Sequence, residues 1–533
     1  MLIYGASVKN VLRGVGLTQD RKFLGNGRSA RVYLATLEGK PVANKIFTGE
    51  TTSKIILFTL TGSANPYTWC EAAIKSAMSR RKILSQLCKY WYGDKVRLPE
   101  TYGYSWNEEE KAFQIDAEFI PGSHVPLLSP LKENPQDFAG ELRKEIMEPL
   151  QKRLIDSGFD GLVWQAGKGN PVADSNFMLM SNPDGSLQWV WIDLESGVPA
   201  IFAMNFLSTL FFYLPKCLKH REWMFDTVDI KKLETYLTQN ADDIDSKIGE
   251  GSSQELLKTA AELSKTQNEW KGIKRYRRSI LYAESQGKIS SEEKEYYFKR
   301  PIAWYLKSVI TFSLLFFKKL GRGVAKLIKK ISGFDIGRFL HHTVKYTLSA
   351  RYRWGVARWY LQKDIKKWYA RKCIDREGRK FLLFELHKDD VSSYLTDFSV
   401  HLALKPLDKI LSLLVVPLIT AYGIIDVKTG VIAALAVGPV TRTLYTLWRF
   451  THSLVRRRHN YPVIALIIGA LPVVGNLAYP LELLFRGSGN RDYLAKFILY
   501  SFSAKIGAKL PIWGGKDSGT EHFFNRWTHK LLG

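Results

Sequence analysis

The chain has 533 residues, of which 46% are hydrophobic and 13% aromatic, a composition that excludes a disordered protein and leaves room for about two to four domains. Its formal net charge is +26, which predicts a polyanionic partner, either nucleic acid or an anionic membrane surface. The four cysteines are scattered without C-x-x-C spacing, so we expect reduced thiols in a cytosol-facing protein rather than a disulfide framework.

The first twenty residues do not form a convincing signal peptide. Lys9 and Arg13 interrupt the apolar run, and no small-residue cleavage pattern follows. We therefore expect the first domain to stay in the cytoplasm.

Residues 1–200 predict a mixed α/β domain. Short alternating runs indicate strands, namely RVYLATL, PVANKIF, FQIDAEFI, NFMLM and LQWVWIDL. The sequence SNPDGS at 181–186 predicts a hairpin turn. One helix is expected over 66–91, with Asn65 as its N-cap and a proline at its first position, and a second helix is expected to end at Gly158.

Residues 200–300 predict mostly soluble helices. The apolar run AIFAMNFLSTLFFYL at 200–214 suits either a buried helix or a helix that lies on a membrane. S-x-x-E capping boxes at 252–255 and 290–293 are expected to begin polar, amphipathic helices.

The segment 299–380 is strongly basic and rich in aromatic residues. It contains 22 lysines and arginines against 4 acidic residues, which is +18 of the total +26. Interleaved basic and aromatic residues suit single-stranded nucleic acid, by stacking, or an interfacial helix that faces anionic lipid headgroups. The apolar run at 309–317 and the uncharged segments that follow favour the membrane over nucleic acid as the partner.

Two uncharged apolar segments follow. The first, 410–425, has 16 residues, and the second, 461–479, has 19, close to the roughly 20 that span a bilayer. We expect helices near 408–425 and 429–449, joined by a turn at 426–428, and a last segment that crosses the membrane or turns back. Basic residues beside the hairpin place that side in the cytoplasm by the positive-inside rule. A buried core helix is the alternative for each segment.

A glycine-rich turn lies at the start of the first hairpin. Residues 25–32, GNGRSARV, fit the pattern G-x-G-x-x-G-x-V, with Ala30 in place of the third glycine. Glycines allow a strand–turn–strand to lie directly over phosphates, which the backbone N–H groups then face. On its own the pattern is weak, and an ordinary hairpin turn is the simpler interpretation.

A single lysine ends the next strand. Val42-Ala43-Asn44-Lys45 fits V-A-x-K, a position from which a lysine reaches the α- and β-phosphates of a nucleotide. A carboxylate on the following helix would hold the lysine in place, and Glu71 is the candidate. The alternative is that Lys45 and Glu71 are ordinary solvated charges.

An amide and a carboxylate flank two strands joined by a tight turn. Asn176 directly precedes the strand FMLM, and Asp193 ends the strand WVWID, so the two side chains should lie side by side. Oxygen ligands of this kind suit Mg²⁺, which takes only one or two from protein. The alternative for Asp193 is a strand-end cap.

Taken in order, these pieces resemble the protein-kinase-like superfamily over roughly residues 20–200. The resemblance implies a two-lobed fold that binds ATP and Mg²⁺, with the hinge between the lobes at 118–127. It implies catalytic roles for Lys45, Glu71, Asp174 and Lys168, cofactor contacts for Gly25, Gly27, Ser29, Val32, Ala43, Lys45 and Glu118, and metal ligation by Asn176 and Asp193.

The sequence departs from the family pattern in the catalytic loop. Pro171 stands five residues before Asn176, where the family has its aspartate, and DLE at 193–195 replaces D-F-G. Either Asp174 serves as base from a rearranged loop, with Lys168 approaching the transferred phosphate, or the loop has no base. The sequence after 193, without an A-P-E segment, looks like small-molecule or lipopolysaccharide-type kinases. The kinase-like family linked to ubiquinone biosynthesis also resembles the architecture, although its K-x-G-Q segment is not found.

We therefore expect an α+β kinase-like domain at 1–215, a helical extension at 216–300, a basic aromatic interfacial region at 301–400 and a hydrophobic transmembrane or re-entrant helical region at 401–533. The expected function is a membrane-bound phosphotransferase or ATPase that acts on a lipid, glycolipid or isoprenoid-type substrate and contacts anionic lipids, with the kinase-like domain on the cytoplasmic side. The alternatives are an inactive pseudokinase that regulates a membrane partner and a basic nucleic-acid-binding protein.

Overall fold

The structure is a computed structural model, and it describes residues 21–26, 29–49, 54, 57–58, 60–122, 124, 138–170, 173–195, 209–220, 226–311, 336–370, 374–387, 399–400, 402, 408, 411–455, 462–470, 481–482, 493–499 and 501. The chain divides into two compact units. The first comprises Met1–Val125, Pro135–Phe316 and Ser518–Thr520, and the second comprises Pro126–Asn134, Phe317–Asp517 and Glu521–Gly533. The domain boundaries expected at 215, 300 and 400 stay predictions.

The first unit is a mixed α+β structure in which an antiparallel sheet is followed by a helical region, an arrangement compatible with the expected two-lobed fold. Its strands are β1 (Lys22–Asn26), β2 (Arg31–Leu37), β3 (Lys40–Ile46), β4 (Val96–Arg97), β5 (Thr101–Asn107), β6 (Ala112–Glu118), β7 (Phe177–Ser181) and β8 (Leu187–Trp191). One sheet has the strand order β1-β2-β3-β6-β5, and the other has the order β4-β8-β7.

The helices of this unit lie between and after the sheets. They are α1 (Pro66–Trp69), α2 (Glu71–Tyr92), α3 (Glu148–Asp156, after Phe138–Glu141 and the π-helical Leu142–Met147), α4 (Leu214–His220, after the π-helical Thr209–Tyr213), α5 (Ile230–Gln239), α6 (Ala241–Ile248), α7 (Ser252–Lys271), α8 (Arg275–Ser285) and α9 (Ser291–Lys299). A further helix covers 301–311.

The β2–β3 hairpin forms where the alternation predicts it. Its turn residues Glu38 and Gly39 have φ values of 50° and 81°, the left-handed pair that a two-residue type I′ turn requires. On β3, the side chains of Val42, Asn44 and Ile46 are buried, and those between them are less so. Along β3, one face is therefore covered and the other is more open.

The helix predicted over 66–91 forms as two helices. The predicted N-cap at Asn65 is confirmed, because the Asn65 side chain accepts the N–H of Tyr67 at 3.1 Å. Cys70 then takes extended φ and ψ values of −108° and 110°, which ends α1, and α2 begins at Glu71. The long helix stops at Gly93, whose φ is 58°.

The second sheet is embedded in a hydrophobic core. The predicted hairpin turn forms between β7 and β8, where the N–H of Asn182 donates to the carbonyl of Ser186 at 2.8 Å. Phe177 and Trp191 stack with centroids 5.9 Å apart, and Trp189 is also fully buried. Buried side chains of α2, α3, α5 and α7 complete this core, which fixes the ends of β7 and β8.

Only one of the two predicted capping boxes forms. Ser290 Oγ accepts the N–H of Glu293 at 3.2 Å, and the Glu293 carboxylate accepts the N–H of Ser290 at 3.0 Å. The prediction at 252–255 is wrong, because Asp245 accepts the N–H and hydroxyl of Ser253 at 2.7 and 2.8 Å. A carboxylate from outside α7 therefore satisfies the start of that helix.

The second unit is helical in its described residues. Its helices are α10 (Ile336–Leu348), α11 (Ala350–Ala370), α12 (Arg376–Glu385), α13 (Val416–Ala421, after the π-helical Leu411–Val415), α14 (Val427–Val455) and α15 (Val463–Gly469). Leu361, Ile365 and Trp368 of α11 pack with Leu382 of α12 and Phe497 in one buried cluster.

The hairpin turn expected at 426–428 lies earlier, at residues 422–426. Asp426 accepts the N–H groups of Lys428 and Thr429 at 3.1 and 3.3 Å, so α14 begins at once. The helix bends by 44° between Ala434 and Ala436. Pro439 accounts for the bend, because its ring clashes with the carbonyl four residues earlier.

Across the described ranges, no single helix is both long and apolar enough to cross a bilayer. The two halves of α14 together satisfy that test of length and composition, as a bent pair.

Candidate functional site

The strand register brings several predicted residues onto one face of the five-stranded sheet. Val32 lies opposite Lys45, which lies opposite Ile115, and Ala43 lies opposite Ala117 in the next row. Directly paired residues point to the same face, as do residues two apart on one strand. Val32, Ala43 and Lys45 therefore share the more open face.

Lys45 is held by two carboxylates at the end of the other sheet. Its Nζ donates to Asp193 Oδ1 at 2.6 Å and to Glu195 Oε2 at 2.7 Å. Arg81 of α2 donates from Nε and Nη2 to the two oxygens of Glu195 at 2.6 and 2.9 Å, a bidentate pair. The side chain of Glu195 is 1% exposed and that of Asp193 is 37% exposed, so one carboxylate is enclosed and the other meets solvent.

Ion pairing decides the protonation states in this cluster. Burial by itself would raise the pKa of Glu195, but Arg81 and Lys45 outweigh burial and hold its pKa well below the usual range. Burial would lower the pKa of Lys45, but Asp193 and Glu195 outweigh it and raise that pKa. All three members of the Lys45–Glu195–Arg81 network are therefore charged at neutral pH.

Glu71, the predicted partner of Lys45, lies elsewhere. Its carboxylate accepts the hydroxyl of Tyr104 at 3.1 Å and pairs with Lys75 at 3.1 Å, and its side chain is 43% exposed. Its place beside Lys45 is taken by Glu195.

Asn176 and Asp193 both lie at the paired ends of β7 and β8, Asn176 directly before β7 and Asp193 two residues after β8. The N–H of Ile192 donates to the carbonyl of Asn176 at 2.8 Å. The amide nitrogen of Asn176 donates to the carbonyl and the Oε1 of Gln165 at 2.9 and 3.1 Å. Both bonds involve the amide nitrogen of Asn176. Neither involves its amide oxygen, which is the atom of an asparagine side chain that ligates metals.

The donors at this position are a carboxylate and an amide oxygen. Within the part of the chain that the structure describes, no group of three or more His, Cys, Asp or Glu side chains is placed to hold a metal ion. A carboxylate and an amide oxygen are both ligand types that Mg²⁺ accepts, and Mg²⁺ takes only one or two of them from protein. The metal role of Asp193 and Asn176 stays a prediction.

The loop before β7 carries the other two predicted catalytic residues. Asp174 lies in a 3₁₀ turn, Ala173–Asn176, and its Oδ1 accepts the N–H of Ser175 at 3.0 Å. The ammonium group of Lys168 lies 4.7 Å from the ring centroid of Phe212. Pro171 lies outside the described residues.

Glu118 is engaged at the junction of the two sheets. Arg97 of β4 donates to its two oxygens at 2.6 and 2.8 Å, and the N–H of Glu100 donates to the same carboxylate at 3.2 Å. Although partial burial would raise the pKa of Glu118, these bonds lower it. The Glu118 carboxylate therefore joins the sheets, and its predicted cofactor contact stays a prediction.

The glycine loop is described in part. Gly25 lies in β1 opposite Val32, and a Cβ added to it would meet nothing within 4 Å. Ser29 is buried, and Gly27 lies outside the described residues.

Arg81 and Glu195 belong to this cluster but are not among the residues predicted from the sequence. A signal was present for Arg81, because it continues the buried stripe of Ile74, Ala77 and Leu84 along α2, and an arginine in such a stripe needs a buried counterion. For Glu195 the signal was its position two residues after Asp193, because residues two apart in an extended chain point to the same side.

No protein-family model matches the chain, and no curated protein matches it. A function is therefore inferred from the geometry of the described residues.

Proposed function

We propose that the first unit binds Mg-ATP on the sheet face that carries Lys45, and that the chain is a membrane-bound, kinase-like phosphotransferase or ATPase. The observation that supports this is the bond between Lys45 and Asp193, residues 148 positions apart in the sequence. A cation for phosphates thus lies beside a solvent-exposed carboxylate for a metal. Phosphoryl transfer depends mainly on positioning and charge stabilisation, which such a pair supplies.

The rest of the face suits a nucleotide. Val32 and Ala43 present apolar surface in the rows that contain or adjoin Lys45, where a base and sugar would lie. When bound, Mg²⁺ would neutralise phosphate charge, and Asp193 and Asn176 would hold it. Lys45 would then donate to phosphate oxygens, and Glu195 would keep its ammonium group in place.

Exposed apolar surface supports a membrane location for the first unit. In the helix over 301–311, Ile302, Tyr305, Leu306, Val309 and Ile310 are all between 55% and 75% exposed. Their spacing places them on one side of the helix. The segment that follows is strongly basic, a combination that suits an anionic lipid surface.

The second unit has a similar feature along α14. Large apolar side chains are exposed along its length, and soluble proteins rarely expose continuous patches of this kind. They are Val427, Val431, Ile432, Val440, Leu444, Leu447, Trp448, Leu454 and Val455. We propose that this surface contacts lipid, that the first unit lies on the cytoplasmic side, and that the substrate is a lipid, glycolipid or isoprenoid-type molecule of the same membrane.

One observation favours a second candidate, a pseudokinase. The sequence has Pro171 in place of the family's aspartate, and Asp174 accepts the N–H of Ser175, a local bond within its own 3₁₀ turn. In that case nucleotide binding would regulate a membrane partner without phosphoryl transfer.

Detergent-purified full-length protein separates the candidates when Mg-ATP binding and hydrolysis are measured independently. An active enzyme that uses Asp174 as base should lose about 10²–10⁴-fold in turnover in Asp174→Asn and keep its ATP affinity. Binding without turnover would support the pseudokinase. Absence of binding in the wild type would contradict both.

A further inference from the structure

The short helix α4 is anchored to the loop that carries Lys168. Tyr213, in the π-helical turn before α4, is 1% exposed, and its hydroxyl donates to the carbonyl of Lys168. Its ring packs edge-on against Trp164 with centroids 5.8 Å apart. Cys217, one turn later, is also buried. This side of the helix is therefore fixed to the core beneath the candidate catalytic loop.

The other side of the same segment presents large apolar groups to solvent. Phe211 is 73% exposed, Leu218 is 66% exposed, and Leu210 is 40% exposed. The three residues define what we call the Phe211 face. A segment whose inner side is anchored in the core does not need an apolar outer side for folding, so this surface requires another explanation.

A cation adjoins the Phe211 face. The ammonium group of Lys168 lies over the ring of Phe212, the residue between Phe211 and the anchoring Tyr213. This arrangement suits an anionic membrane surface, because the apolar side chains can contact the acyl chains while the lysine contacts the phosphates of the headgroups.

We propose that the Phe211 face inserts into an anionic lipid surface and thereby brings the loop with Lys168 and Asp174 to the level of the lipid headgroups. This inference rests on the proposed function and narrows its substrate to a lipid whose reacting group lies at the membrane–water interface. Tyr213 links this segment to the loop through its bond to Lys168, so insertion of the Phe211 face would also set the depth of the loop relative to the membrane.

A nitroxide label tests the insertion directly in the full-length chain. Cysteine replaces Phe211 in one variant and, as a matched control, Leu187 in another, since Leu187 is an exposed apolar residue on β8. Cys373 is changed to serine in both. Burial raises the pKa of the Cys70 and Cys88 thiols to about 11 and about 12, and Cys217 is buried, so these thiols should not compete for the label.

The labelled proteins are placed in vesicles of phosphatidylcholine and phosphatidylglycerol. In these vesicles, the ratio of collisions with oxygen to collisions with a water-soluble nickel chelate should be several-fold higher for the label at 211 than for the label at 187. The label at 187 should show the low ratio of a water-exposed site. Equal ratios at the two positions would overturn the proposal.

Mg-ATP binding is measured on the same labelled samples. A protein that inserts Phe211 but binds no nucleotide would refute the proposed function and leave the lipid contact standing, whereas nucleotide binding with a water-exposed label at 211 would refute only the insertion.

Discussion

At the scale of single residues, the arrangement around Lys45 depends on which carboxylate holds it. Glu195 is enclosed and shared between Lys45 and Arg81, whereas Glu71 is exposed and bonded to Tyr104. The sequence predicted the lysine and Asp193 from local patterns. It could not predict the partner, because pairing across 150 positions depends on how the two sheets meet.

Replacement of Glu195 should destabilise the fold strongly. Glu195→Gln leaves Arg81 and Lys45 buried with one carboxylate fewer, and loss of one partner of a buried ion pair costs about 3–5 kcal/mol. Glu71→Gln is the matched control and should change the free energy of unfolding by about 0.5 kcal/mol or less, since Glu71 is on the surface. Urea unfolding of the two variants measures the difference, and equal losses would contradict the described pairing.

The stability difference between the wild type and Glu195→Gln should depend on pH. The folded-state pKa of Glu195 lies below its unfolded-state value of about 4.3, so its contribution to stability is present above that pH and is lost as the pH falls further. The raised pKa of Lys45 keeps its contribution intact up to about pH 10. The gap in unfolding free energy between wild type and Glu195→Gln should therefore narrow as the pH is lowered from 7 to 3. A gap that stays constant would contradict the ion pairing.

At the scale of elements, alternation and turn chemistry predicted the strands and hairpins well. The N-cap at Asn65 was also predicted, but the break at Cys70 was not. Cysteine has no helix-breaking character, so no local pattern predicts the extended conformation of Cys70. The capping box at 252–255 failed for a similar reason, because Asp245 from a neighbouring helix supplies the acceptor.

The two predicted boxes make a matched experiment. Ser290→Ala removes a reciprocal pair of hydrogen bonds and should cost about 1 kcal/mol. Ser252→Ala removes no cap, because the residue before α7 is Gly251 and makes no side-chain capping bond, and it should cost less than about 0.5 kcal/mol. Chemical unfolding followed by helical circular dichroism compares them, and a larger loss in Ser252→Ala would contradict the assignment.

At the scale of the whole molecule, composition predicts the kind of partner, but sequence patterns do not predict which surface contacts it. The charge of +26 and its concentration at 299–380 predict an anionic partner, but they do not identify the surface that would bind it. The structure adds large exposed apolar side chains along 302–310 and α14. The sequence alone does not show which apolar side chains are exposed, and their exposure is what favours a membrane as the anionic partner.

Membrane association should resist both salt and alkali. Salt at 1 M screens exposed charges beyond about 3 Å, so binding through basic residues alone would be lost, whereas the apolar surfaces at 302–310 and along α14 should hold the chain in the pellet. Sedimentation of membranes after washes with salt and with carbonate measures this. Complete release by either wash would contradict insertion and would favour the nucleic-acid alternative.

The most direct measurement is the dissociation constant of Mg-ATP for the detergent-purified chain and three variants. Lys45→Ala removes the phosphate contact and Asp193→Ala removes the metal ligand, and loss of a charge-assisted contact should weaken binding by about 10–150-fold in each. Lys40→Ala, an exposed lysine on the same strand, is the matched control and should bind like the wild type. Wild-type affinity in both site variants, or no binding by the wild type, would contradict a nucleotide site on this face of the sheet.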